Sequence, residues 1–130
     1  MSIAATTPPQ IVTYCHCKDC KRWTGAPAPA FAGFASGTLD LMPEPQPVSH
    51  TRGVMRWFCA ACGSPVAATF EYLPGQTFVP LGILDQAADL PPSLHCHAGF
   101  ALPWLHTDDG LPRADATGRD ALNAASRGQV

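Results

Sequence analysis

Three cysteines fall within six residues at Cys15, Cys17 and Cys20, and no other stretch constrains this chain so tightly. Thiols that close are poor core filler, and two disulfides could not use them evenly. One soft-favouring metal ion accepts all three, and zinc is the usual choice. Three protein ligands leave a tetrahedral ion one position short, which is what separates a catalytic zinc from a structural one. A C-x-C step puts two sulfurs on one side of an extended chain, and the C-x-x-C turn folds the third back toward them. Lys18, Lys21 and Arg22 add positive charge that favours thiolates and anionic ligands. The competing reading is a structural zinc knuckle whose fourth ligand comes from Cys59, Cys62, Cys96 or a histidine.

Two other groups carry ligand chemistry. Cys59-x-x-Cys62-Gly63 has the form of half a zinc knuckle, with a glycine that lets backbone N–H groups face the sulfurs. The chain offers no second free C-x-C or C-x-x-C to complete it. The options are an empty dithiol, a zinc completed by other side chains, or a redox pair, the last lacking the βαβ context it would need. His95-Cys96-His97 reads as strand, so its two imidazoles point one way and its thiol the other, and all three reach one ion only across a bend. Packing is the simpler reading there. Arg22 could hold a carboxylate and Trp104 could wall a substrate groove, although tryptophans more often pack.

The chain's 130 residues suit one domain with its own core. Apolar residues make up 46% and charged residues only 14%, which leaves few charges for the surface. This predicts apolar surface covered by a partner, most simply in a homodimer. Net charge is −2, with no Lys/Arg run that would favour nucleic acid or an anionic membrane. No apolar run is long enough to span a bilayer, and the start lacks a secretory pattern. Six cysteines without such a signal point to metal or redox chemistry in a reducing compartment, hence the cytoplasm.

Residues 1–9 are small, polar and proline-rich and read as a flexible end. Gln10–Tyr14 reads as a short strand feeding the cysteines, and Lys18–Thr24 as a turn or two of helix stopped by Gly25 and Pro27. Strands are predicted over Pro29–Ala35, Thr38–Met42, Val54–Cys59, Val66–Tyr72, Thr77–Leu84 and Leu94–Phe100, with a proline-dense loop at Pro43–Pro47. Residues 114–130 read as a tail in which Arg119–Arg127 could be helical. Short strands with regular turn signals and almost no helix make this a mainly β domain, a sandwich or a folded meander. No dinucleotide-binding glycine motif, P-loop or G-x-S-x-G is present, so nucleotide binding and serine hydrolysis gain no support.

The blocks together carry a family resemblance. Cys15-His16-Cys17-Lys18-Asp19-Cys20-Lys21-Arg22-Trp23-Thr24-Gly25-Ala26-Pro27 resembles the C-H-C-x-x-C-R-R-x-T-G-A-P signature of the glutathione-dependent formaldehyde-activating enzyme family, also called the centromere-protein-V/GFA domain. Gly53 to Pro65 is similar to its G-x-x-R-x-F-C-x-x-C-G-S-P segment. Leu81-Gly82-Ile83-Leu84-Asp85 is similar to its G-T-L-D strand. Pro103-Trp104 and Asp109-Gly110-Leu111-Pro112 are similar to its closing elements. The match runs in order over residues 10–113.

The resemblance implies a Mss4-like β fold with two zinc sites. Cys15, Cys17 and Cys20 would hold a catalytic zinc open to a thiol, and Cys59 and Cys62 would be half of a structural four-cysteine site. The activity implied is the joining of formaldehyde to glutathione, a carbon–sulfur lyase reaction read in reverse. The family's opening G-x-C-x-C-G-x-V hairpin is not seen, because no cysteine precedes Cys15. The expectation is therefore that the structural site is absent or altered and at most one zinc remains. Arg22 and Trp104 are the expected substrate contacts. The alternative function is a non-catalytic zinc-binding β module that docks a partner protein.

Overall fold

The computed structural model describes residues 1–128. Residues 129–130, the end of the stretch read as a tail or short helix, lie outside the described residues. The strands are β1 (Ser2–Ala5), β2 (Ile11–Cys15), β3 (Ala30–Ala35), β4 (Leu39–Met42), β5 (Gln46–Val48), β6 (Val54–Phe58), β7 (Pro65–Phe70), β8 (Gln76–Pro80) and β9 (Leu94–Cys96). The helices are α1 (Lys18–Thr24) and α2 (Arg119–Ser126). The domain is mainly β, as its turn-punctuated apolar runs predict. Seven strands form one sheet in the order β5-β6-β7-β8-β3-β2-β9, while β1 and β4 form a separate pair. All pairings are antiparallel except β2 with β9, whose register sets Cys15 opposite Cys96.

Strand alternation sorts the side chains onto two faces. Thr13 and Cys15 of β2 share a face with Phe31, Phe78, Leu94 and Cys96, following the register across the sheet. That face is the larger core, where Cys20 of α1 and Leu122 of α2 pack against it. The opposite face carries Val12, Ala32, Phe34 and Val79 under Ile3, Leu39 and the segment 81–90. Burying a phenylalanine such as Phe31 or Phe78 contributes about 1.5–3 kcal/mol, so these rings anchor the wall on which the cysteines stand.

Several predicted boundaries shift for local reasons. The expected loose end contains β1, because Ser2–Ala5 finds a partner in Leu39–Met42. The proline-dense loop contains β5, whose Pro47 needs no ladder donor at an edge position. β8 ends at Pro80, and Leu81–Ile83 tightens into a 3-10 turn instead of continuing the strand. β9 ends at Cys96 because His97 adopts φ +53° and a 3-10 turn follows over Ala98–Phe100. No helix among the described residues is long and apolar enough to cross a membrane.

Candidate metal centre

The cysteine cluster forms where β2 hands over to α1. Cys15 ends the strand, Cys17 caps the helix and Cys20 sits on its first turn. The Cys17 Sγ accepts the Cys20 backbone N–H at 3.3 Å, so the cluster and the helix start are one structure. Gly25 closes the helix at φ +73°, donating its N–H to the Lys21 carbonyl; the left-handed region costs a glycine nothing. Lys21 Nζ donates to the Phe100 carbonyl at 2.8 Å and ties α1 to the turn after β9.

The three sulfurs lie within 4.8 Å of one another, and Cys15 Sγ is 3.5 Å from Cys17 Sγ. Tetrahedral zinc with 2.3 Å bonds sets its sulfurs about 3.8 Å apart. The donor set therefore fits zinc in type and in spacing, and among the described residues no fourth His, Cys, Asp or Glu donor joins it. Hydrogen bonds from Cys15 and then Cys20 pull the Cys17 thiol far down, making it the first thiolate of the three. Hydrogen bonding to Cys17 is the largest influence holding the Cys15 thiol up. On Cys20, hydrogen bonding to Cys15 pulls down, but Cys17 and burial outweigh it and leave the thiol at about 12.

The cluster opens on a narrow cavity of about 40 Å³, walled by Phe31, Phe70, Phe78, Leu73 and Leu122. Its polar lining comes from Thr13, Tyr72, His97 and Thr117. Burial, then the neighbouring thiols, push the Tyr72 hydroxyl up to about 12, so it stays protonated and able to donate. The reversal at His97 supplies the bend that a straight strand lacks. Both Cys96 and His97 reach this cavity, while His95 points to the other face. Neither Cys96 nor His97 joins the three-sulfur group.

Sequence reasoning missed the buried chain behind the cluster. His16 Nε2 and His95 Nδ1 are 2.8 Å apart, and His95 Nε2 is 2.8 Å from Asp109 Oδ2. Asp109 also accepts the Leu111 backbone N–H and lies 3.7 Å from Arg113. That N–H first, and His95 second, hold the Asp109 carboxyl below its ordinary range. A carboxylate accepts only, so His95 donates from Nε2 and its Nδ1 accepts from His16 Nε2–H. His16 Nδ1 is then a buried acceptor with no partner among the described residues. Burial, then His95, lower the His16 pKa. Tyr14 stacks on His95 at 4.6 Å. The signal in the sequence was His16 itself, forced by alternation to the face opposite Cys15 and Cys17.

The remaining predicted residues stand apart from the cavity. Arg22 is exposed on α1 and Trp104 is 63% exposed, and neither lines it. Cys59 is buried, whereas Cys62 is exposed with its Sγ 3.2 Å from Ser64 Oγ. The Ser64 hydroxyl and backbone lower the Cys62 thiol. Among the described residues no third His, Cys, Asp or Glu donor gathers with this pair. All six cysteines are free.

Comparison with known proteins agrees with the sequence blocks. The profile of the family described as glutathione-dependent formaldehyde-activating enzyme matches residues 1–99. A crystal structure of a Rhodobacter sphaeroides protein aligns with a TM-score of 0.48 at 18% identity, covering 86% of this chain and 90% of that one. No curated protein matches. Matched over three quarters of its length, with the three-cysteine cluster inside the match, the chain belongs to the glutathione-dependent formaldehyde-activating enzyme family.

Proposed function

We propose that this protein is a zinc-dependent enzyme of the carbon–sulfur lyase type, acting on a thiol adduct such as S-(hydroxymethyl)glutathione. The observation that carries this reading is three sulfurs at zinc spacing on the wall of an apolar cavity, with no fourth donor among the described residues. Bound there, zinc would offer its fourth position to a substrate thiolate and polarise a carbonyl beside it. Cys15, Cys17 and Cys20 would hold the ion. The phenylalanines and leucines keep water from the sulfurs, which strengthens every electrostatic contact inside. Tyr72 O–H, held protonated, is suited to donate to an oxygen that gains charge in the cavity.

The cavity is small. A water needs about 10–15 Å³ of such space, so about 40 Å³ takes a sulfur and a one-carbon group but not a tripeptide. A larger thiol would leave its body outside, where Arg22 is the proposed contact for a carboxylate and Trp104 for an apolar or planar part. The free cysteines suit the cytoplasm. Exposed Met42, Val48 and Met55 suit a homodimer contact.

Magnetisation-exchange NMR with ¹³C-formaldehyde and glutathione tests the activity. Zinc-replete protein should speed interconversion of the free and thiol-bound carbon, and Cys17→Ser should abolish the effect. Zinc-replete protein that neither binds glutathione nor changes this rate would remove glutathione as the substrate.

A further inference from the structure

Arg56 is a buried guanidinium that no carboxylate among the described residues pairs with. It lies on β6, and the register Arg56–Ala68–Phe78–Gly33 carries it to the sheet face that bears Cys15 and the cavity. It is 7% exposed. The Trp23 ring lies 4.6 Å from its Cζ and the Phe70 ring 5.7 Å. Among the described residues the ion pairs are those of Asp109 with His95 and Arg113, so no carboxylate reaches Arg56. Its Nη1 has no hydrogen-bond partner among the described residues, and its Nη2 lies 4.0 Å from Cys20 Sγ.

A guanidinium stays charged in any protein environment, and burying it without a counter-charge is costly. The flanking rings hold it in place but are neutral. The group beside it is the Cys20 thiol, which a bound metal would hold as a thiolate. Three thiolates around a divalent ion leave one net negative charge, and a substrate thiolate adds a second. Arg56 does not line the cavity, so it touches neither substrate nor reacting atoms.

We infer that Arg56 is the built-in counter-charge of the metal–thiolate centre, a positioning residue that acts through Cys20 and sets the affinity for both the metal and the incoming thiolate. This rests on the metal-binding reading above. It also accounts for Trp23, which braces the guanidinium under the cluster. The clue in the sequence was the alternation of Val54, Arg56 and Phe58, which puts a cation on an otherwise apolar face.

The test is zinc affinity measured by chelator competition on wild type, R56K and R56M, with the thiolate charge-transfer band of the cobalt forms as a second readout. R56M should bind zinc about 10–100-fold more weakly, the usual loss for a group supporting a metal's ligands. R56K should recover part of that loss, and the cobalt band should move most in R56M. Metal-free R56M should unfold at or above the temperature of metal-free wild type, because an uncompensated buried charge is gone. If R56M does not fold, R56Q replaces it, and equal zinc affinity of R56Q and R56K overturns the inference. Wild type that binds zinc tightly while R56M matches it overturns the inference alone. Wild type that binds neither metal overturns the metal reading and this inference together.

Discussion

His95→Phe isolates what the buried His16–His95–Asp109 chain contributes. The replacement keeps a ring of similar size stacked on Tyr14, where the present rings lie 4.6 Å apart and 15° from parallel. What it removes is hydrogen bonding. His16 Nε2–H loses its acceptor at 2.8 Å, and its Nδ1 has none already. His16 is 1% exposed, so water cannot step in. Asp109 loses a donor as well, but at 30% side-chain exposure solvent replaces it. The cost therefore falls on one buried imidazole and should be about 1–3 kcal/mol. For a chain of this length that lowers the melting temperature by roughly 4–11 °C. Adding His16→Phe removes the orphaned donor, and the two rings can then meet without polar atoms. The double variant should be more stable than the sum of the single losses implies, with a coupling of about 0.5–3 kcal/mol. Circular dichroism during urea and thermal unfolding of all four proteins, metal-free, measures this. Wild-type stability in His95→Phe, or simple additivity of the two substitutions, would mean that the His16–His95 hydrogen bond contributes nothing to the fold.

Cys17→Ser should abolish zinc binding, because it removes both a ligand and the sulfur that caps α1; metal content after dialysis reads this directly. Leu122→Ala should cost about 2–5 kcal/mol by opening a void between α2 and the sheet, and an unchanged urea midpoint would contradict the packing described. Cys62 should be the first of its pair alkylated by iodoacetamide near neutral pH, because the lowered thiol is exposed and Cys59 is buried. Ser64→Ala should slow that reaction, which peptide mapping would quantify. Asp109 has a folded pKa below its ordinary 3.8, so its support for His95 should be complete above that value and fade as the pH falls below it. Asp109→Asn should not show this acid-dependent step in a pH series of melts.

Much of this architecture was legible in the residues. The cysteine spacing foretold the gathering of Cys15, Cys17 and Cys20, and apolar runs bounded by Gly and Pro foretold most strands of the sheet. Strand ends were less legible where backbone conformation, not composition, decides them. Nothing in Leu94–Phe100 announces that His97 turns left-handed, yet this turn parts His97 from His95 and brings it to the cavity beside Cys96. The Ser2–Ala5 strand depends on a partner almost forty residues away, which local pattern cannot show. Arg56 and Asp109 stand in the sequence blocks, but their partners Cys20 and His95 could not be read there for the same reason. Those contacts are created by the sheet register and the closing loop.

The proposed centre is a zinc held by three cysteines with one position left for a thiol. Zinc-edge anomalous diffraction from crystals of the metal-loaded protein, soaked in glutathione, tests it most directly. A peak is expected about 2.3 Å from the sulfurs of Cys15, Cys17 and Cys20, with the glutathione sulfur as fourth neighbour. A fourth protein side chain closing the ion, or no peak at these sulfurs, would contradict it.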